Sequence, residues 1–237
     1  MSNHKIIEVF SQNWWLSIFS SSVLIIVILK FAKSSGKSMQ MRIAKIIGVV
    51  LIFIACFIHI YQFIKGEWTL QSSLPLNLCS ISGILSGLVL LFPNQRAFEF
   101  LLFWGIPGAF HSFITPELTL GAQGWYFYDY YLMHGGIILS VLYLSFIFGF
   151  KPRMNSWLWV WLWSQVLIVI VYAIDKSIGA NYMYLITKPI ANNPLVIGDW
   201  PWYLLVFEFA ALIHVYIVHQ IFKERNIVMS MKNSKTV

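Results

Sequence analysis

The segment Ile43–Ile64, with the sequence IAKIIGVVLIFIACFIHIYQFI, decides the fold class, because its only charged residue is a lysine near its start. A helix needs about 20 mostly apolar residues to cross a hydrocarbon core roughly 30 Å thick. Six further segments on either side have the same character. The predicted spans are Trp14–Phe31, Ile43–Ile64, Leu74–Phe92, Ala97–Ile114, Asp129–Phe148, Ser156–Ile174 and Trp202–Phe222. Pro107 predicts a kink in the fourth span.

The composition excludes a soluble globular protein. Hydrophobic residues make up 59% of the 237 residues and charged residues only 11%, whereas an ordinary soluble domain has roughly 25% charged residues. The net charge of +7 does not indicate nucleic-acid binding, because the basic residues lie between apolar runs, where they set membrane orientation. We predict an all-α, multi-pass protein of the cell membrane. Residues 1–237 form one helical domain, with a short exposed N-terminus (1–12) and a basic tail (223–237).

The distribution of Lys and Arg predicts the orientation, because cytoplasmic loops are enriched in these residues. Twelve of the 16 flank one side of the predicted spans: Lys30, Lys33, Lys37, Arg42, Lys45, Arg96, Lys151, Arg153, Lys223, Arg225, Lys232 and Lys235. The other side has four: Lys5, Lys65, Lys176 and Lys188. The C-terminus is therefore predicted to be cytoplasmic and the N-terminus outside. The basic segments Lys30–Lys45 and 223–237 are expected to bind anionic lipid headgroups.

Several polar residues fall near the outer ends of the predicted spans. Cys79 and His134 each lie about one turn into a span that begins outside, and His111 lies near the outer end of the fourth span. Glu208 lies roughly 9 Å inward along the seventh span, and His214 is the main polar residue expected in the cytoplasmic half. Because ionisable residues within membranes usually face an interior cavity, we predict a polar chamber that opens outward.

Cys79 and His134 suit a nucleophile and its base, because a neighbouring imidazole can take the proton of a thiol. The alternative is that Cys79 is an inert packing residue. A stripe of small residues below it, which includes Ser82 and Gly83, predicts either helix packing or room for an acyl chain. Glu208 is a candidate to orient His134, to carry a proton or to pair with a neighbouring helix, and pairing is the favoured interpretation. No cofactor motif or metal-ligand spacing occurs, so neither a cofactor nor a metal is predicted.

Four elements of the sequence together resemble one family. They are LPLNLCS at Leu74–Ser80, His134, NYMY at Asn181–Tyr184 and DWPWY at Asp199–Tyr203. The chain resembles the YwaF-like bacterial integral membrane proteins, which are grouped with the animal transmembrane protein 164. The animal branch is a phospholipid-remodelling acyltransferase, and its catalytic cysteine and histidine match Cys79 and His134. The fold is also similar to that of the androgen-induced membrane lipid hydrolases, which use a threonine and a histidine.

Two functions follow as hypotheses. The first is a lipid acyltransferase or lipid ester hydrolase that acts on a membrane lipid through an acyl-thioester on Cys79, with His134 as the base. Asn77, Ser82, Asn181 and Glu208 are the candidates for substrate binding or orientation, and Asn77 or backbone amides near Cys79 would stabilise the oxyanion. The alternative is a non-catalytic carrier or a membrane protein that binds a lipid or a small hydrophobic ligand, which Pro107, Glu208 and the membrane histidines would also suit.

Overall fold

The computed structural model describes residues 5–190 and 196–233, with side chains up to residue 223. Parts of the predicted N-terminal segment and of the basic tail lie outside the described residues. Within them the chain forms seven helices: α1 (Gln12–Ser34), α2 (Lys37–Lys65), α3 (Leu78–Leu91), α4 (Gln95–Ile114), α5 (Trp125–Phe146), α6 (Ser156–Ile178) and α7 (Trp202–Asn233). A 3-10 turn at Tyr182–Tyr184 and two short strands, β1 (Lys5–Ile6) and β2 (Glu117–Leu118), complete the described elements. The all-α prediction is confirmed.

Five of the described helices are long and apolar enough to cross a membrane: α1, α2, α4, α6 and the Trp202–Lys223 part of α7. Helix α3 is apolar but has only 14 residues. The count of seven spans and the orientation stay predictions. We call the two ends of the bundle the Trp14 end, where α1 begins and α4 ends, and the Arg153 end, where α5 ends and α6 begins.

Capping residues define where several helices begin and end. Ser11 Oγ accepts a hydrogen bond from the backbone N–H of Trp14, which caps the start of α1. Asn94 Oδ1 accepts from the N–H groups of Arg96 and Ala97 at the start of α4. Gly66 and Gly179 adopt left-handed conformations that end α2 and α6, which glycine does without a steric cost. These signals are local, so the corresponding boundaries follow closely from the sequence.

Helix α4 accommodates Pro107 by a change in helix type. Residues Leu101–Gly105 form a π-helical turn, and α-helix resumes at Ile106. A proline has no N–H and its ring collides with the preceding turn, so a wider turn just before it relieves both problems. The predicted kink therefore takes the form of a π turn within one helix, Gln95–Ile114.

Helix α3 packs closely on α2 and α5 through its small residues. A Cβ atom added at Gly87 would lie 2.8 Å from Ile52 Cγ1 and 2.9 Å from the Gly48 carbonyl oxygen of α2. One added at Gly83 would collide with Met133 Sδ of α5. The small-residue stripe is therefore filled by neighbouring helices, as expected for close helix packing in membranes. The alternative, that the stripe leaves room for an acyl chain, is wrong.

The chain before α1 contacts the loop after α4 through Ile7, whereas most of the other residues described there are exposed. Strand β1 pairs antiparallel with β2, and the Ile7 N–H donates to the Pro116 carbonyl over 3.2 Å. Ile7 then packs with Trp14 and Leu118, and all three side chains are less than 9% exposed. The physical reason is that Ile7 removes apolar surface from solvent by covering the loop that follows α4.

An ion pair between the buried Glu99 and the exposed Arg153 holds α4 at the Arg153 end. The Glu99 side chain is only 2% exposed, and its carboxylate accepts from Arg153 Nε and Nη2 and from the Arg153 backbone N–H. Gln95 Nε2 donates to the same carboxylate. These donors compensate for removing a charge from water.

Candidate active site

A cavity of about 770 Å³ lies inside the bundle and reaches the loops of the Trp14 end. Its walls come from α2 to α7 and from the loops before α3, after α4 and before α7. The wall is largely apolar in the interior, where Phe103, Trp161 and Val215 contribute, and richer in polar groups towards the loops. Cys79 and His134 both line it, together with Asn77, Asn181 and Glu208. This volume is in the range of sites for small molecules and cofactors.

Cys79 is the second residue of α3, because the helix begins at Leu78. The prediction that Cys79 lies about one turn inside the helix is wrong. Residues Leu74–Asn77 are apolar enough to be counted as part of the span, but they do not form helix. Asn77 is extended, and its Oδ1 accepts from the Met183 N–H over 2.9 Å, which ties this segment to the 3-10 turn. The thiol packs on α4, where a Cβ atom at Gly108 would lie 3.0 Å from Sγ. Ser112 adjoins the thiol one turn further along α4.

His134 lies about two and a half turns into α5, since that helix begins at Trp125 and not at Asp129. Its side chain is 7% exposed, and its Nδ1 is 2.6 Å from the Tyr130 carbonyl oxygen. A carbonyl oxygen can only accept, so Nδ1 carries the hydrogen and Nε2 keeps a lone pair when the ring is neutral. This is the tautomer that a general base needs.

Tyr130 connects the two candidate residues. Its ring centroid is 4.4 Å from that of His134, and its hydroxyl donates to the Ser112 carbonyl over 2.9 Å. Tyr130 therefore joins α5 to the part of α4 that contacts the Cys79 thiol. Among the described residues Cys79 and His134 form no hydrogen bond with each other. They share the wall of one cavity, although they lie at different distances from the starts of their helices.

The other predicted site residues have partners of their own. Asn181 Oδ1 accepts from the N–H groups of Ile186 and Thr187, and its amide nitrogen donates to Thr187. Glu208 accepts from Gln165 Nε2 over 2.7 Å. Ser82 is fully buried and is not part of the described cavity wall, because its face of α3 packs on the neighbouring helices. The group that holds the His134 ring is thus a backbone carbonyl, and none of these three side chains hydrogen-bonds to the ring.

His111 and His214 form a pair that the sequence did not predict. Their Nε2 atoms are 3.1 Å apart, and His214 Nδ1 is 2.6 Å from the Ala210 carbonyl oxygen. The position of His214 in the cytoplasmic half stays a prediction, as the orientation does, but its ring is in contact with His111. The end of α4 meets the middle of α7, so a residue near one helix end contacts one that is several turns inside the other.

Two acceptors in the cavity wall have no donor, and sequence reasoning missed both. Gln62 is 2% exposed and its Oε1 is unpartnered, as is Oδ1 of Asp129. The available signal was that Gln62 interrupts an otherwise apolar run.

The described wall contains no Lys or Arg, and its carboxylates are Glu117, Asp129 and Glu208. No group of three or more His, Cys, Asp or Glu side chains suited to a metal ion occurs in the described part of the chain.

Long apolar helices around an internal cavity define an α-helical membrane protein. The chain belongs to the TMEM164 family, whose family model matches residues 9–219. The resemblance of the LPLNLCS and DWPWY elements to that family is thus confirmed over most of the chain. No curated protein and no solved structure gives a significant match.

Proposed function

We propose that this protein is a lipid acyltransferase or lipid ester hydrolase that uses Cys79 as nucleophile and His134 as base. The observation that supports this function best is that both residues line one cavity with an apolar interior. An acyl chain is apolar and gains free energy when such a wall removes it from water. The Cys79 thiol lies on the polar side of this interior, where an ester carbonyl would be positioned.

The chemistry divides into two transfers. In the first, His134 Nε2 accepts the thiol proton, the sulfur bonds to the ester carbonyl carbon and the carbon–oxygen bond breaks. The proton passes to the departing alcohol oxygen. In the second, an acceptor alcohol or water gives its proton to His134 while its oxygen attacks the thioester carbon. The thiolate leaves and recovers the proton, so the enzyme returns to its first state.

The position of Cys79 at a helix start supports stabilisation of the oxyanion. The first N–H groups of a helix have no intrahelical acceptors, and the helix dipole favours negative charge there. Cys79 is in this first turn, after Asn77. Asn77 Oδ1 is held by the Met183 N–H, which leaves its amide N–H group as the hydrogen-bond donor of that side chain.

Mass spectrometry of the intact protein tests the acyl-enzyme. Purified protein incubated with mixed phospholipids is expected to gain a hydroxylamine-labile adduct of fatty-acyl mass, because a thioester is cleaved by hydroxylamine. Cys79→Ala is expected to lose the adduct. The matched control is Cys56→Ala, which removes the other cysteine, an exposed residue of α2. An adduct that persists in Cys79→Ala, or folded wild-type protein that never acquires one under rapid quenching, would contradict the proposal.

The second candidate function is a carrier or a ligand-binding protein, which the Gln165–Glu208 pair inside the cavity favours. A carboxylate held within a membrane bundle is typical of transport pathways. The two functions differ in which residue is essential. If Cys79→Ser keeps cellular function and Glu208→Gln abolishes it, transport is favoured over acyl transfer.

A further inference from the structure

The unpartnered acceptors Gln62 Oε1 and Asp129 Oδ1 mark a binding site within the cavity. Leaving a buried polar atom without a hydrogen bond is unfavourable, because the atom has lost its bonds to water and gained none in return. Gln62 is 2% exposed and Asp129 makes no hydrogen bond with the described residues, yet both line the wall. Such atoms in a cavity are satisfied when a ligand or water provides donors.

The two residues belong to helices that contact each other at the Trp14 end. Tyr61 precedes Gln62 on α2, and Tyr126 lies one turn before Asp129 on α5. The ring centroids of these tyrosines are 5.3 Å apart in an edge-to-face contact. The Tyr126 hydroxyl also donates to Glu67 just beyond the end of α2. Gln62 and Asp129 are thus held on neighbouring walls, in the half of the cavity nearer the loops.

The charges of the wall indicate which ligand these acceptors suit. A phosphate buried here would face carboxylates and, among the described lining residues, no Lys or Arg, the usual phosphate donors. An ammonium group could pair with Asp129, but both charges would then have to leave water, and the desolvation cost of such a pair can exceed its attraction. The other two carboxylates of the wall already accept hydrogen bonds, Glu208 from Gln165 and Glu117 from the Ile190 N–H. Hydroxyl groups can donate one hydrogen bond to each unpartnered acceptor, and they bring no charge into the cavity.

We propose that this half of the cavity binds the uncharged, hydroxyl-bearing head of a lipid, whose O–H groups donate to Gln62 Oε1 and Asp129 Oδ1. The sugar of a glycolipid and the glycerol of a diacylglycerol share this chemistry. The assignment rests on the proposed function for the role of the cavity as a lipid site. It predicts that the acyl acceptor or donor is an uncharged lipid, and it excludes a phosphate or an ammonium at these two residues.

Binding by the full-length Cys79→Ala protein tests the proposal without turnover. Dissociation constants would be compared, by native mass spectrometry, for diglucosyl-diacylglycerol, diacylglycerol, phosphatidylglycerol and phosphatidylethanolamine with the same acyl chains. Phosphatidylglycerol is the matched control, since it carries a glycerol head and adds a phosphate charge. At least one uncharged lipid is expected to bind about tenfold more tightly than both phospholipids, because their phosphate would face carboxylates and no Lys or Arg among the described lining residues. The two uncharged lipids then distinguish a sugar from a glycerol head.

Variants that keep or remove the acceptor oxygen test whether the lipid donates a hydrogen bond to it. Gln62→Leu is expected to weaken binding of the uncharged lipid by about tenfold, since one buried acceptor is lost. Asp129→Asn keeps an acceptor oxygen at its site, so its binding is expected to stay within about threefold of the parent, a difference under 1 kcal/mol. Size exclusion and thermal melting confirm that each variant is folded.

Two outcomes would overturn the inference. One is equal or tighter binding of either phospholipid. The other is loss of binding in Asp129→Asn with no effect of Gln62→Leu, which would indicate a cation. The acyl-enzyme experiment is separate, because Cys79→Ala forms no thioester. Selective binding without an adduct in the wild type would leave this inference standing and contradict only the acyl transfer.

Discussion

Among the described residues, the His134 ring forms one hydrogen bond, with the Tyr130 carbonyl. In many general bases an acidic side chain fixes the tautomer, but a backbone carbonyl has the same effect without adding a charge to the bundle interior. Its position is set by α5 itself, because Tyr130 lies one helical turn before His134. The histidine is therefore preorganised by its own helix, and only the approach of Cys79 depends on other elements.

His134→Ala is expected to slow formation of the Cys79 acyl adduct by about 10²- to 10⁴-fold, the usual contribution of a general base. Time-resolved mass spectrometry after rapid quenching measures this rate. Added imidazole is expected to restore part of it, because the base can then be supplied from solution. A rate that is unchanged in His134→Ala, or a loss that imidazole does not relieve in folded protein, would argue against His134 as the base.

At the scale of elements, α3 determines where the thiol lies. It is short, it begins only after Asn77 is tied to the 3-10 turn, and its glycine face contacts α2 and α5. Because Gly83 and Gly87 allow this close approach, the start of α3 and the Cys79 thiol reach the α4 surface at Gly108. Packing and site geometry are coupled through one helix.

Gly87→Val is expected to destabilise the protein by about 1–3 kcal/mol, the usual cost of overpacking. The new side chain would meet Ile52 and the Gly48 carbonyl, and the latter is backbone that cannot move away. Gly36→Ala is the matched control, because a Cβ atom there has no neighbour within 4 Å. Thermal melting in detergent measures both variants, and equal melting temperatures would contradict the packing described for α3.

At the scale of the whole molecule, twelve Lys and Arg residues on one side against four on the other predict that the Arg153 end is cytoplasmic. A fluorescent protein fused after residue 237 is then expected to be fluorescent, and alkaline phosphatase at the same position is expected to be inactive. Fusions to the N-terminus should behave in the opposite way. An active phosphatase at the C-terminus would reverse the orientation and place the loops around the cavity in the cytoplasm.

Most of the helices could be predicted because each one depends on the hydropathy of a continuous segment of the sequence. Hydropathy over about 20 residues gave the helices, and the boundaries at Ser156 and Ile114 agree between prediction and structure. The pairing of Glu208 with a neighbouring helix was also predicted, and Gln165 is its partner. Cys79 and His134 were chosen from the family resemblance and from their depths, and the structure brings both to one cavity although the depths were wrong.

The amino-acid sequence is enough to identify an apolar helical membrane protein of one family and to single out a cysteine and a histidine as the leading candidates for chemistry. Other features follow only from the way the helices pack. They are the start of α3 at Leu78, the contact of His111 with His214, the burial of Ser82 away from the cavity, and the unpartnered acceptors of Gln62 and Asp129. The difference arises because a membrane helix is recognised from the summed hydropathy of about 20 consecutive residues. Contacts between helices depend instead on their relative depth and rotation, which are set by residues that lie far apart in sequence.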